Sequence, residues 1–225
     1  MKSYNQFSQR VILDSPVVET TPVVWKNKLL LLEHWQREWE HPAQPEGLCF
    51  NRIRDVESDT LVVPQLLEQF VFPSAIIWNE IFYIFTAKRG VDAKGRNVPE
   101  NIYVIQSADL KNWTKPIAAI TPDPGELLFN ETVCYNGKRF VMAYETNNPM
   151  RFTIKFAYSD DLVNWIKIPN IYYDGKRPVG CPAIRHVGNY YYMLYSTHLY
   201  PRWWFDTRLA RSKDLQQWEE SPFNP

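Results

Sequence analysis

Short apolar runs alternate with polar turns along most of the chain, and one arrangement of them occurs four times. Each copy consists of an apolar run, a two-residue polar turn and a second apolar run, and the copies cover residues 21–32, 74–85, 132–143 and 183–194. Such pairs of runs are typical of β-hairpins. The turn Asn136-Gly137 is the strongest of the four, because both central residues of a type I′ turn need a positive φ. The pattern therefore predicts four hairpins.

A second pattern, Ser-x-Asp-Leu-x-x-Trp, follows a predicted third strand in three of the four units. It begins at Ser107, Ser159 and Ser212, so its intervals are 52 and 53 residues. The Asp can accept a hydrogen bond from the backbone two residues on and hold the turn into a fourth strand. The Trp can fill the gap to a neighbouring sheet with a large apolar ring. Four strands per unit, repeated at a fixed period, predict an all-β fold of the β-propeller type.

The regular period predicts one propeller domain over residues 1–225, with blades at about 17–70, 71–120, 128–172 and 178–225. The first blade lacks the motif, so its outer edge must be built differently. The motif tryptophans are expected to be largely buried at equivalent places in their blades: Trp113, Trp165 and Trp218. Only four units are visible, whereas a five-bladed ring would need roughly 260 residues at this period. We therefore expect either a four-bladed ring or a propeller whose fifth blade is missing, with an open edge that favours homo-oligomers.

Composition and charge exclude several classes of partner. Lys plus Arg and Asp plus Glu both number 25, so no overall field favours nucleic acid or an anionic membrane. No stretch approaches the ~20 apolar residues of a membrane span, and residues 1–15 lack the apolar core of a signal peptide, so a cytoplasmic protein is expected. Cys49, Cys134 and Cys181 are too scattered for a disulfide framework or a zinc site and are expected to be buried. With no phosphate-binding loop or metal-ligand spacing, no cofactor or metal is predicted.

The Ser-x-Asp-Leu-x-x-Trp motif and its preceding hairpins resemble the five-bladed β-propeller glycosidases, notably glycoside hydrolase family 43. Three further segments, Val18–Val24, Cys181–Ile184 and Asn189–Met193, look like a bacterial branch of that clan. The resemblance covers about residues 10–225. It implies a glycosidase that binds an oligosaccharide or other glycoside in a central funnel and cleaves it by carboxylate acid/base chemistry. The 15% aromatic content also suits a sugar site.

Family members bring three carboxylates to the funnel, and the resemblance locates their counterparts here. The base falls near Glu19, the acid that sets its partner's pKa falls on Asn130, and the proton donor falls on Gly180. Two of the three carboxylates are therefore missing. The enzyme hypothesis uses Glu19 with Glu145 or Glu33, whereas the alternative is a carbohydrate-binding propeller that has lost catalysis. A protein-interaction propeller has less support, because the Gly-His and Trp-Asp signatures of that class are absent.

The candidate catalytic residues differ in the environment that the sequence predicts for them. Glu33 and Glu145 each end the second strand of a blade after an apolar run. Partial desolvation would raise the pKa of such a carboxyl, so Glu145 is expected to be the proton donor. Glu19, at the start of an innermost strand, is expected to be its ionised partner.

The candidate binding residues lie on strands and loops near the predicted funnel. Asn130 is expected to face the funnel as a hydrogen-bonding residue, with Glu131 turned away because adjacent strand residues alternate. Arg52 is expected to pair with Glu33, inside the funnel or as a surface ion pair. Three residues are candidates for stacking on a sugar or binding its polar groups: Trp35, His198 and Arg202. His198 is placed in a loop, and the simpler interpretation of it, as of His34 and His41, is a solvated side chain.

Overall fold

The computed structural model describes residues 17–36, 49–90, 98, 100–150, 152–173, 177–199 and 204–224. Within these ranges the regular elements are sixteen β-strands, which form four four-stranded sheets. Consecutive strands pair antiparallel in every sheet, so each sheet is a meander. The predicted all-β class is confirmed. No helix in the described ranges is long and apolar enough to cross a membrane.

The first two sheets correspond to the first two predicted blades. Blade one contains β1 (Val17–Trp25), β2 (Lys28–Gln36), β3 (Cys49–Asp55) and β4 (Thr60–Leu66). Blade two contains β5 (Phe70–Trp78), β6 (Ile81–Lys88), β7 (Ile102–Ser107) and β8 (Ile117–Ile120).

The other two sheets follow the same order. Blade three contains β9 (Leu128–Tyr135), β10 (Phe140–Thr146), β11 (Thr153–Ser159) and β12 (Ile166–Tyr173). Blade four contains β13 (Val179–Val187), β14 (Tyr190–Leu199), β15 (Trp204–Ser212) and β16 (Trp218–Glu220).

The four blades are arranged as a propeller, with the first strand of each blade innermost. Strands β1, β5, β9 and β13 contact one another in that order. Three apolar clusters fill the spaces between successive blades: Leu32 packs between blades one and two, Phe85 between two and three, and Phe156 between three and four. Burial of these side chains on both faces of the inner sheets is the main source of stability of the arrangement.

Two of the predicted hairpin turns have the expected type I′ character. Lys26-Asn27 and Asn79-Glu80 have a positive φ at both central residues, as that turn requires. The predicted hairpin at Asn136-Gly137 forms between β9 and β10, but its turn is not type I′, because only the glycine of this pair has a positive φ. The Asn136 side chain instead accepts hydrogen bonds from the backbone N–H groups of Lys138 and Arg139, which makes a longer loop between β9 and β10.

The Ser-x-Asp-Leu-x-x-Trp motif forms the same hydrogen-bonded turn in each of its three copies. In blade three, Asp161 Oδ1 accepts from two backbone N–H groups that follow it, and Ser159 Oγ accepts from the N–H groups of Asp161 and Leu162. The Trp165 indole N–H donates to the Leu162 carbonyl over 3.1 Å. Its ring meets Phe85 of the preceding blade edge-on, with centroids 5.6 Å apart. The predicted turn and inter-blade contact are confirmed.

The motif tryptophans Trp113, Trp165 and Trp218 occupy equivalent places in their blades, as predicted. Each is partly buried and packs against an apolar cluster. The motif leucines go deeper, with Leu162 and Leu215 at 1% and 4% exposure. The indole N–H of each motif tryptophan donates to the carbonyl of the motif leucine.

Blade one replaces the motif with a single aspartate. Asp55 Oδ1 accepts from the backbone N–H groups of Glu57 and Ser58, which is the same spacing that the motif aspartates use. Lys28 Nζ donates to the other oxygen over 2.8 Å. These bonds hold the pKa of Asp55 down at about 2.

Candidate active site

A cavity of about 770 Å³ lies among the innermost strands and receives residues from all four blades. Each first strand contributes the residue at one equivalent position: Glu19 from β1, Phe72 from β5, Asn130 from β9 and Cys181 from β13. We call these four residues the central ring. They also line a second cavity of about 280 Å³.

The central ring is directed inward by irregular strand pairing. In each first strand the register shifts beside the ring residue, so the strand departs from regular alternation there. Phe72, Asn130 and Cys181 have φ values of 56°, 45° and 49°. Such a conformation costs a side-chain-bearing residue about 1–2 kcal/mol, and β-bulges that re-aim side chains are frequent beside active sites.

The carboxylate of Glu145 lies against Gly180, in the space that a side chain at position 180 would fill. A Cβ built on Gly180 would collide with this carboxylate. Glu145 Oε2 accepts hydrogen bonds from Asn130 Nδ2 over 2.7 Å and from the Cys181 backbone N–H over 3.0 Å. These two donors stabilise a negative charge on Glu145. The absence of a side chain at 180 is thus what admits the carboxylate from the neighbouring blade.

Glu19 lines both cavities, and its carboxyl has a raised pKa. The sequence analysis expected a raised pKa at Glu145 instead. Burial, and to a smaller extent the charge of Glu145, raise the pKa of Glu19 to about 7. The raised pKa of Glu19 differs from the ionised carboxylate that the sequence analysis expected there. The site thus holds one carboxyl whose neutral form is favoured by burial and a second, Glu145, that accepts two hydrogen bonds.

Glu131 is a third carboxyl at the centre, contrary to the expectation that only one of Asn130 and Glu131 faces inward. It lines the smaller cavity with Glu19, is 3% exposed, and has no hydrogen-bond partner on another described residue. Burial, followed by the charge of Glu19, raises its pKa well above the usual range. The prediction assumed strict alternation, and the irregular pairing at this point of β9 removes that alternation.

Comparison with known proteins finds similarity in structure but not in sequence. No family model matches the chain, and no curated protein matches its sequence. Solved structures do match: a thermostable family-43 glycoside hydrolase shares 16% identity with a TM-score of 0.68, over 92% of this chain and 75% of that one. A glycosyl hydrolase from Bacteroides ovatus shares 12% identity with a TM-score of 0.65, over 93% and 70%. The fold is that of the β-propeller glycosidases.

A structure from another glycosidase family also matches the fold. A structure described under the GH130 mannoside phosphorylases, which include glycoside hydrolases that target β-1,2 mannosidic linkages in Candida mannan, has a TM-score of 0.64. Its identity is 11%, and the match covers 92% of this chain and 71% of that one. At such identities the likeness establishes the propeller-glycosidase fold, and the chemistry has to be argued from the residues.

Glu33 does not join the carboxyls that line the two cavities. Both of its oxygens accept hydrogen bonds from arginines, Oε2 from Arg52 and Oε1 from Arg54 over 2.9 Å. The predicted Arg52–Glu33 pair is confirmed, although it is buried, with Glu33 wholly inaccessible. Two guanidinium partners balance the charge of Glu33 within blade one.

Strand register explains why Glu33 is not the counterpart of Glu145. Leu32 pairs with Thr21 in blade one, and Ala143 pairs with Thr132 in blade three. Leu32 and Ala143 are therefore equivalent. The residue two positions after Ala143 is Glu145, and the residue two positions after Leu32 is His34, so His34 rather than Glu33 is the counterpart of Glu145. Since neighbouring strand residues point to opposite faces, an error of one residue moved Glu33 to the wrong side.

The two described histidines of the prediction are buried rather than solvated. His34 is wholly buried beside Phe72, with ring centroids 5.5 Å apart. Burial and the charge of Arg89 lower its pKa to about 4. His198 is 4% exposed and lies within β14 rather than in a loop, where it lines the larger cavity. Both belong to the walls of the central region.

The remaining predicted residues fall elsewhere. Trp35 stacks on Phe50, with centroids 4.7 Å apart, and does not line either cavity in the described part of the chain. Arg202 and His41 lie outside the described residues. The central ring could have been found by aligning the four hairpin copies, since each member stands two residues before the hairpin copy begins, at its threonine, serine or alanine.

Cys181 is exposed, contrary to the prediction, whereas Cys49 and Cys134 are buried as expected. Although the residue as a whole is exposed, its Sγ lies 3.5 Å from Asn130 Nδ2 at the centre, where desolvation and the charges of Glu145 and Glu19 raise the pKa of the thiol to about 12. The thiol therefore keeps its proton and is a poor nucleophile. The described residues contain no group of His, Cys, Asp and Glu side chains arranged to hold a metal ion.

Proposed function

We propose that the protein is a glycoside hydrolase that cleaves a carbohydrate in the larger cavity with Glu19 and Glu145 as its carboxyl pair. One observation carries this proposal. The carboxylate of Glu145 fills the space left by Gly180, in the same cavity as Glu19. The resemblance implied a proton donor at position 180, and a carboxylate from the neighbouring strand reaches that region instead.

The two carboxyls differ in the way that glycoside hydrolysis requires. Glu19, with its pKa near 7, holds a proton that it can donate to the glycosidic oxygen as the bond breaks. Glu145, held by Asn130 and the Cys181 N–H, carries the negative charge that activates water or attacks the anomeric carbon. If Glu145 activates water, the water oxygen forms the new bond to the anomeric carbon, Glu145 takes the water proton and Glu19 protonates the departing alcohol. If Glu145 attacks directly, the glycosyl ester that forms is then hydrolysed by water, whose proton returns to Glu19.

Leaving-group dependence tests the assignment. Glu19→Gln should lower kcat/KM by about 10²–10⁴-fold on glycosides with alcohol leaving groups, because the proton donor is lost. Activated aryl glycosides need little protonation and should be largely spared. Glu145→Gln should impair both kinds of substrate.

The exposed Glu57→Gln serves as the matched control, since Glu57 lines neither cavity. Equal losses on both substrate kinds in Glu19→Gln would refute its role as donor. If no arabinoside, xyloside or mannoside is hydrolysed, the enzyme proposal itself fails.

A carbohydrate-binding propeller without catalysis is the second candidate. Its support is specific: Asn130 and Gly180 stand where the resemblance implies carboxylates. It predicts that glycosides bind without turnover and that Glu19→Gln leaves their affinity nearly unchanged. Calorimetric titration beside the activity assay distinguishes the two candidates.

A further inference from the structure

The larger cavity has a second chemical character besides its carboxyls. Four phenylalanines line it: Phe72, Phe129, Phe152 and Phe205. The first three are partly exposed, and Phe205 is 56% exposed. Phe72 and Phe129 contact each other edge to face, with centroids 6.5 Å apart. We call the four residues together the phenylalanine wall.

Two polar residues of the cavity lining are already engaged by the protein, and a third, His198, packs against Phe205 with ring centroids 5.3 Å apart. Thr146 Oγ1 donates to Glu126, while Asn147 accepts from the Leu127 N–H and donates to the Gly125 carbonyl. A sugar ring against these rings would compete with the protein for Thr146 and Asn147, and a hydroxyl group that found no partner would be costly to bury. The phenylalanine side therefore suits an apolar ligand group better than a second sugar.

Asn130 marks the other side of the cavity as the polar one. Its Nδ2 donates to Glu145, and its Oδ1 is buried without a partner among the described residues. A sugar hydroxyl beside the carboxyl pair would satisfy that acceptor. The cavity thus divides into a sugar side at Glu19 and Glu145 and an apolar side at the phenylalanines.

Backbone strain supports a role for the phenyl rings beyond filling space. Phe72 and Phe152 have φ values of 56° and 64°, a conformation that bulky residues rarely adopt. Residues held in this way cluster at binding sites, where the surrounding structure keeps the side chain in place. Two of the four phenylalanines that line the cavity, Phe72 and Phe152, therefore have a strained backbone conformation.

We propose that the phenylalanine wall is an aglycone subsite and that the preferred substrates are glycosides with an apolar, aryl-bearing aglycone. This inference rests on the proposed function for its sugar side. Burial of one phenyl group removes enough apolar surface from water to improve binding by about tenfold or more, after the cost of ordering the ligand.

The test compares 2-phenylethyl and methyl glycosides of arabinose, xylose and mannose. Both aglycones are alkyl alcohols of similar leaving-group quality, so the comparison reports the subsite and not the reactivity of the bond. For the sugar that is accepted, the phenylethyl glycoside should bind about tenfold more tightly by calorimetry. Equal affinities, or no binding by any phenylethyl glycoside, would overturn the proposal.

Phe205→Ala should reduce the phenylethyl-to-methyl affinity ratio toward one, because its exposed ring is lost from the subsite. Phe223→Ala is the matched control, since Phe223 is 93% exposed and does not line this cavity. An unchanged ratio in Phe205→Ala, or an equal fall in both variants, would contradict the subsite.

The outcomes separate this inference from the proposed function. Turnover with equal use of both aglycones upholds the hydrolase and refutes the subsite. Tighter binding of phenylethyl glycosides without turnover upholds the subsite and refutes the hydrolase.

Discussion

At the scale of single residues, the centre of the molecule depends on which carboxyl holds a proton. Glu19 and Glu131 are both pushed toward the neutral form, chiefly by burial. Glu145, by contrast, accepts hydrogen bonds from an amide and a backbone N–H, which favour a charged carboxylate. These chemically identical side chains therefore lie in different electrostatic environments.

The first prediction concerns pH. The activity should fall as the pH rises through about 7, because Glu19 then loses the proton that it donates. Glu19→Gln should lose this descending limb in its residual activity toward activated aryl glycosides. A limb that persists in the variant would assign the titration to another group.

The second prediction is that the free energy of unfolding depends on pH through the ionisation of Glu19. The folded-state pKa of Glu19 lies above its usual 4.5, so its favourable contribution is complete below about pH 4.5 and is lost as the pH rises through 7. Glu19→Gln should therefore gain stability relative to the wild type between pH 5 and 8, by at most about 3 kcal/mol. Urea unfolding at both pH values measures this, and a constant difference would show that Glu19 does not titrate in that range.

A further prediction concerns Gly180. In Gly180→Ala the new Cβ would displace the Glu145 carboxylate, so kcat/KM should fall by about tenfold or more, since small misplacements of catalytic groups are costly. Adding Glu145→Asp shortens the acid and should restore part of the loss. Activity of the double variant below that of either single variant would contradict the shared space.

At the scale of elements, local signals were enough to predict the sheets. The hairpin copies and the Ser-x-Asp-Leu-x-x-Trp motif are contiguous, so their turns are determined by nearby residues and could be recognised in the sequence. The bulges could not, because an extra residue in a strand has no distinctive composition. Glu131 was misplaced by the bulge in β9, and Glu33 by a register error of one residue.

The motif turn offers a prediction of its own. Asp161 accepts backbone N–H bonds within the turn, and their loss in Asp161→Ala should cost about 1–2 kcal/mol, as for a lost helix cap. The adjacent Asp160, which has only an exposed ion pair with Arg139 at 3.4 Å, is the matched control and should change stability little. Urea unfolding compares the two, and equal effects would argue against the turn's importance.

At the scale of the whole molecule, apolar clusters join blade one to two, two to three and three to four. The other sides of blades one and four keep exposed apolar residues: Val24 and Leu29 at 67% and 46%, and Val187 and Leu194 at 64% and 48%. Whether the ring is open or closed by four blades stays a prediction, and these exposed faces favour the open ring.

An open ring should self-associate. Light scattering should show a mass that rises with concentration, and Val24→Asp combined with Leu194→Asp should abolish the rise. Ile166→Asp, at a site 57% exposed on β12, is the matched control and should leave the rise unchanged. A monomer at all concentrations would contradict the open ring and favour closure by four blades.

The central ring has a consequence for how this protein can change. Each of its four positions is held by the backbone of a different sheet, but Asn130 and Cys181 are also linked, because both donate to Glu145. The effects on folding of combined substitutions at Glu19 and Phe72 should be nearly additive, because separate hairpins support them. Their effects on binding should not be additive, because both residues meet the same ligand. Different hairpins hold the residues of the site, but the residues bind one ligand together. A substitution in one blade can therefore change the specificity while the hairpins of the other blades stay the same.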